Sequence, residues 1–73
     1  MAAIIHKVKR GESTAVVCLL FGLNYEQLRQ LNVKFLGLSS YDSLELRVGD
    51  YVVVGDSADP LDLVRILKRR GKL

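Results

Sequence analysis

Residues 15–21 (Ala-Val-Val-Cys-Leu-Leu-Phe) are seven consecutive apolar side chains with no polar residue to turn toward water. Ser13 and Thr14 stand before them and Gly22 directly after. The run therefore has a hydroxyl to cap a helix N-terminus and a glycine to end it in the left-handed conformation. A helix that is apolar nearly all round has to be buried on most sides, so this segment is expected to form the centre of the core. Only 73 residues are available to cover it, and a chain of that size buries only about 60% of the surface its unfolded form exposes. Other staples are missing. Cys18 is the single cysteine and His6 the single histidine, which leaves neither an internal disulfide nor a four-ligand zinc site. Apolar packing must hold the fold.

The same scarcity argues against catalysis. A Ser-His-Asp or Cys-His arrangement would have to use His6, which sits in a short apolar stretch near the start of the chain. Cys18, on the apolar helix, reads as a small core residue and not as a nucleophile. The chain is thus expected to be no enzyme and to need no cofactor. Seven apolar residues fall far short of the roughly 18 of a membrane span. Met-Ala-Ala-Ile-Ile ahead of His6 and Lys7 is too short for the apolar region of a signal peptide. Two placements remain as expectations: the cytoplasm for a complete chain, or the cell envelope or periplasm for a piece of a longer exported protein.

Charge is divided unevenly along the chain. Residues 1–57 carry six basic groups (Lys7, Lys9, Arg10, Arg29, Lys34, Arg47) and six acidic ones (Glu12, Glu26, Asp42, Glu45, Asp50, Asp56). Residues 58–73 carry Arg65, Lys68, Arg69, Arg70 and Lys72 against Asp59 and Asp62, and hold the whole net charge of +3. A neutral body does not point to a polyanion as its main ligand. The tail reads either as a contact for phosphate-bearing surfaces or as a helix with cations at the favourable end of its dipole.

Local signals give the order of elements. Residues 4–8 read as a strand, followed by Lys9-Arg10-Gly11 as a turn. After the apolar helix, Asn24 caps a second helix over residues 25–31, with Leu28 and Leu31 on one face and Asn32 as its end. Residues 33–46 read as a long mixed loop. Arg47-Val48-Gly49-Asp50 is a tight turn into the β-branched strand 51–54. An antiparallel pair of the two terminal strands, covered by both helices on one face, is the compact α+β solution. Asp59-Pro60 opens a third helix over residues 61–70, with Leu63, Ile66, Leu67 and Arg70 at helical spacing, Leu61 and Val64 widening the stripe, and Gly71 as the stop. Its apolar face needs a surface: the body, another copy or a longer chain. The expected organisation is a body of residues 1–57 and a basic helical tail of residues 58–73.

This βααβ order and its corner residues resemble the LysM domain. The family's first half is commonly written Tyr-x-Val-x-x-Gly-Asp-Thr, an Ile-Ala pair, an aromatic-Gly pair and Leu-x-x-Leu-Asn. Here His6-x-Val8-x-x-Gly11-Glu12-Ser13, Val17-Cys18, Phe21-Gly22 and Leu28-x-x-Leu31-Asn32 follow it without a gap. The second half, Leu/Ile-x-Pro-Gly-Gln-x-Leu-x-Ile-Pro, is met by Leu46-Arg47-Val48-Gly49-Asp50-Tyr51-Val52-Val53-Val54-Gly55. His6 replaces an aromatic, Glu12 and Ser13 replace Asp and Thr, and Val48 and Gly55 replace two prolines. The longer loop, with Phe35 and Tyr41-Asp42, resembles that of LysM domains near the N-terminus of intimin- and invasin-type outer-membrane adhesins.

The resemblance implies a non-catalytic module for N-acetylglucosamine-containing glycan, either peptidoglycan or chitin, that anchors a larger cell-envelope protein. It implies a groove with one wall of Gly11, Glu12, Ser13 and Thr14 and a second of Ser43, Leu44, Glu45 and Leu46. An N-acetyl group presents a carbonyl, an amide and a methyl, which helix-start backbone and an apolar wall can satisfy without net charge. Binding by one module is expected to be weak and to rely on repetition or tethering. A different class of reading also fits. Residues 18–31 have helix-turn-helix spacing, which would put Gln27, Arg29 and Gln30 toward DNA bases and the tail toward phosphates, although Glu26 offsets the one arginine. A third reading is a protein–protein module that self-associates through the C-terminal helix.

Overall fold

The computed structural model describes residues 2–38 and 43–71. Two strands and three helices follow one another as β1 (Ala3–Lys7), α1 (Thr14–Phe21), α2 (Tyr25–Leu36), β2 (Tyr51–Asp56) and α3 (Pro60–Arg69). β1 and β2 pair antiparallel, so the two distant strands do meet. The register runs from Ala3 opposite Asp56 to Lys7 opposite Tyr51, and it shifts between Ile4 (opposite Gly55) and Ile5 (opposite Val53). Val54 is the extra residue of the resulting bulge. Backbone bonds extend the ladder at both ends, from Ser57 N–H to Ala2 (2.8 Å) and from Val8 N–H to Asp50 (2.8 Å). The fold is the expected α+β arrangement of βααβ with an added C-terminal helix.

Capping explains where the helices begin. Ser13 accepts the Val16 N–H at the start of α1. Asn24 and Gln27 exchange side-chain and backbone bonds at 2.8 and 2.9 Å, a complete capping box for α2. Asp59 accepts the Leu61 N–H ahead of Pro60 in α3. Gly22 ends α1 at φ 68°, a conformation that would strain any L side chain. Its missing side chain also leaves room for Arg65 and Arg69 of α3, whose atoms lie 3.3 to 3.5 Å from where a Cβ would stand.

Two expectations need correction. First, α2 does not stop at Asn32 but continues four residues further to Leu36, so Phe35 belongs to a helix and not to a loop. Asn32 is 1% exposed. Its side-chain amide donates to Leu28 and Val53 carbonyls at 2.8 and 3.0 Å, and its oxygen accepts the Val53 N–H at 2.9 Å. The residue read as a helix end is the polar bolt between α2 and β2. Satisfied in this way, a buried amide is compatible with continuing the helix.

Second, α1 is not covered on most sides. Val17, Cys18 and Phe21 are buried, but Leu20 is exposed and Leu19 is 73% exposed. A domain this small has too few elements to enclose a whole helix. The tail helix docks on the body, one of the three surfaces left open for it. Ile66 is 2% exposed and joins the cluster formed by Val8, Val17, Cys18, Phe21, Leu28, Val52 and Val54. Leu63, Leu61 and Val64 remain exposed.

Polar bonds complete the docking. Arg65 donates to the Phe21 carbonyl at the end of α1 and to the Val54 carbonyl of β2 (2.9 Å), and pairs with Asp62 at 3.1 Å. Asp62 in turn accepts the Asp56 N–H at 2.9 Å. A Cβ on Gly55 would stand 2.6 Å from Ile66 Cδ1. The departure from proline at this position therefore creates the space that α3 fills. Among the described residues no helix is long and apolar enough to cross a membrane.

Candidate functional site

The loop between β1 and α1 is built around Glu12. Gly11 turns the chain at φ 87°, a region open to glycine at no steric cost. Glu12 N–H then bonds back to Lys9 O at 3.1 Å, while the Glu12 carboxylate accepts the Lys9 N–H at 2.6 Å. The same oxygen is 2.9 Å from His6 Nε2. An ionised carboxylate only accepts, so the ring nitrogen is the donor. The Lys9 N–H bond first, and the His6 bond second, hold the Glu12 carboxyl below the usual glutamate range. His6 also sets its ring at 4.9 Å, edge-on, against Phe21. Two departures from the family pattern thus act together: His6 keeps an aromatic contact, and the longer Glu12 reaches its nitrogen.

The second wall alternates. Ser43 and Glu45 are exposed, while Leu44 and Leu46 are half-buried and pack against the core cluster. Leu44 is held by both backbone groups. Its N–H donates to the Tyr25 hydroxyl at 2.8 Å, and its carbonyl accepts from Thr14 Oγ1 at 3.4 Å. Of the residues expected in the two walls, the structure brings Thr14 and Leu44 into contact. Ser13 spends its hydroxyl on the helix cap, and Glu12 turns toward β1. The two leucines expected to offer an apolar wall put much of their surface inward instead.

An apolar wall exists next to that contact. Thr14, Ala15, Cys18, Leu19 and Tyr25 line a cleft of about 590 Å³ with no charged side chain. Burial raises the Cys18 thiol above its ordinary value, which keeps it protonated and apolar in character. The exposed Leu19 and the half-exposed ring of Tyr25 form the outer surface of the cleft. Nothing here resembles a nucleophile beside its base. The cleft offers instead an apolar surface, the hydroxyls of Thr14 and Tyr25, and the N-terminus of α1.

Sequence reasoning passed over Ala15, Leu19 and Tyr25. The first two are four residues apart on one helix face, and the run is more apolar than a core of this size can cover. That excess was the available signal. Tyr25 gave none, because contact with Leu44 depends on a long-range fold. The side chains of the helix read as facing DNA are engaged locally. Gln27 is engaged in the capping box, Arg29 pairs with Glu26 at 3.0 Å, and Gln30 donates to the same carboxylate at 2.9 Å. The three side chains assigned to bases are bonded within α2.

No curated protein and no solved structure matches the chain. The family model described as the LysM domain matches residues 6–55, a span from His6 in the first strand to Gly55 in the second. With its paired strands, its capped helices and Leu44 set against the start of α1, the chain belongs to the LysM family of carbohydrate-binding modules.

Proposed function

We propose that this module binds N-acetylglucosamine-containing glycan, peptidoglycan in particular, and does no chemistry on it. The observation that carries the reading is the uncharged cleft of about 590 Å³ between Thr14, Leu19 and Tyr25, beside the junction of the two groove walls. A pyranose ring has apolar C–H faces that pack on an aromatic or aliphatic surface, and its acetamide needs one donor and one acceptor. Tyr25 and Leu19 supply the surface. Gly11 and Thr14 on one side, with Ser43 and Glu45 on the other, supply the polar edge, and Ser13, Leu44 and Leu46 hold the two walls in place. Glu12 serves by bracing the loop through Lys9 and His6. A small open site makes few contacts, so affinity comes from repetition or tethering. Such a role suits an anchor within a larger cell-envelope protein. Self-association, if used to multiply sites, would act through the exposed Leu61 and Val64 of α3.

The test is a backbone-amide NMR titration of the full chain with a chitin-type N-acetylglucosamine oligomer and with soluble peptidoglycan fragments. Shifts should gather at residues 11–19, Tyr25 and residues 43–46, and respond little to salt. Tyr25→Ala should weaken binding by about tenfold. Absence of shifts with both glycans, or an unaltered Tyr25→Ala variant, defeats the reading.

A further inference from the structure

The glycan reading leaves a second cleft unused. Read linearly, the chain has a neutral body and a basic tail; folding brings two cations from each together. Lys7 and Lys9 from β1 and its loop, with Arg69 and Arg70 from the end of α3, line one cleft of about 450 Å³ together with His6 and Glu12. It shares no lining residue with the apolar cleft. Among the described residues Glu12 is the only carboxylate in the lining, and its charge is shared by the Lys9 N–H and His6.

The cations are placed rather than scattered. Arg70 lies 5.7 Å over the Phe21 ring of the lining, and Lys7, at the edge of the cleft, lies 5.8 Å over the Tyr51 ring just outside it, contacts that restrain where each charge sits. Arg69 passes over Gly22. Arg65, by contrast, is consumed internally by Phe21, Val54 and Asp62, so α3 divides its arginines between docking and the cleft. A concave surface lined by one sign of charge concentrates counter-ions of the other sign. Four cations exceed what one carboxylate requires and suit a group carrying two or more negative charges. Guanidinium forks match phosphate oxygens in geometry as well as charge. A cleft of this volume accepts a small group, not a long polymer.

We propose that this cleft is a binding site for a phosphomonoester or diphosphate group, separate from the glycan cleft. That chemistry is available from a free phosphorylated metabolite and from a lipid headgroup. The test uses the full chain and inorganic pyrophosphate as the probe, followed by amide and side-chain NMR. A second arm uses phosphatidylcholine vesicles with and without phosphatidic acid, and a third uses single-stranded RNA.

Pyrophosphate should give saturable shifts at Lys7, Lys9, Arg69 and Arg70 and leave Leu19 and Tyr25 unmoved. The folded double variant Arg69→Gln/Arg70→Gln should bind about tenfold more weakly, and Lys9→Gln a few-fold more weakly. Arg47→Gln, a charge removed elsewhere, should bind as the parent does. Binding to pyrophosphate together with phosphatidic acid vesicles assigns the source to a lipid headgroup; binding to pyrophosphate without the vesicles assigns it to a free phosphate. Either supports the site. The proposal is overturned if pyrophosphate gives no saturable shifts, if Arg47→Gln weakens binding as much as the double variant, or if RNA alone binds.

Discussion

α1 contributes to two clefts that differ in almost everything but that helix. On one side Thr14, Ala15, Cys18 and Leu19 meet Tyr25 in a cleft without charge. On the other, Leu20 and Phe21 meet β1 and the end of α3 in a cleft lined by four cations. The helix itself is apolar throughout and does not decide between them. Its neighbours do: α2 brings a phenol, while β1 and α3 bring ammonium and guanidinium groups. A uniform segment can therefore carry distinct chemistries when a small fold leaves part of it uncovered. Surplus apolar surface in a chain too short to hide it becomes the floor of sites.

The largest expected effect strikes both clefts at once. Asn32→Ala would leave the Val53 N–H and C=O buried without partners, at a cost of about 3 kcal/mol. Urea unfolding should show that loss, and the glycan and pyrophosphate titrations should both weaken. If stability falls by less than about 1 kcal/mol, Asn32 is not the common support. Gly55→Ala separates the two sides. Its new Cβ meets Ile66, and overpacking there should cost about 1 to 2 kcal/mol. Amide shifts should spread through α3 and the cationic cleft, with Thr14–Leu44–Tyr25 left in place. A response centred on Tyr25 would show that the clefts are not independent.

A finer cut is Tyr25→Phe. The ring stays, but the Leu44 N–H loses its acceptor, for a net loss of about 1 kcal/mol or a few-fold in glycan affinity. Pyrophosphate binding should not move; parallel changes in both titrations would erase the distinction. The smallest effect is acidification. Because the folded Glu12 carboxyl lies below its ordinary range, it contributes stability that is complete above the unfolded glutamate value. That contribution is lost as pH falls through the lowered value. Thermal unfolding followed downward in pH should therefore show a small drop that Glu12→Gln lacks. Equal slopes in parent and variant would remove Glu12 as the brace of the loop.

How much of this was legible beforehand depends on the distance over which each signal acts. Caps and stops are local, so Ser13, Asn24, Asp59-Pro60 and Gly22 could be read from neighbouring residues, whereas the pairing of the two distant strands followed from the need for a compact fold. Asn32 misled for a physical reason. Asparagine at the end of a short apolar pattern usually competes with the helix for its own backbone, and only a strand 21 residues away offers it a better use. Tyr25 and Arg65 are similar, since their partners Leu44 and Val54 are remote in sequence. The placement of α3 was left open because the stripe at Ile66 and Leu67 says that a surface is needed but not which. Gly55 held part of the answer, yet a glycine in a strand signals close approach without naming what approaches. Tyr41 and Asp42, part of the adhesin-type resemblance, lie outside the described residues.

A ribbon of only two strands has bare backbone along its borders, and such borders invite the main chain of a neighbouring molecule to dock. In this module the middle of β2's outer border is occupied by a single amide, that of Asn32, which takes both hydrogen-bonding groups of Val53. One side chain thereby stands in for a missing third strand. At that position the border is closed to a neighbour's backbone.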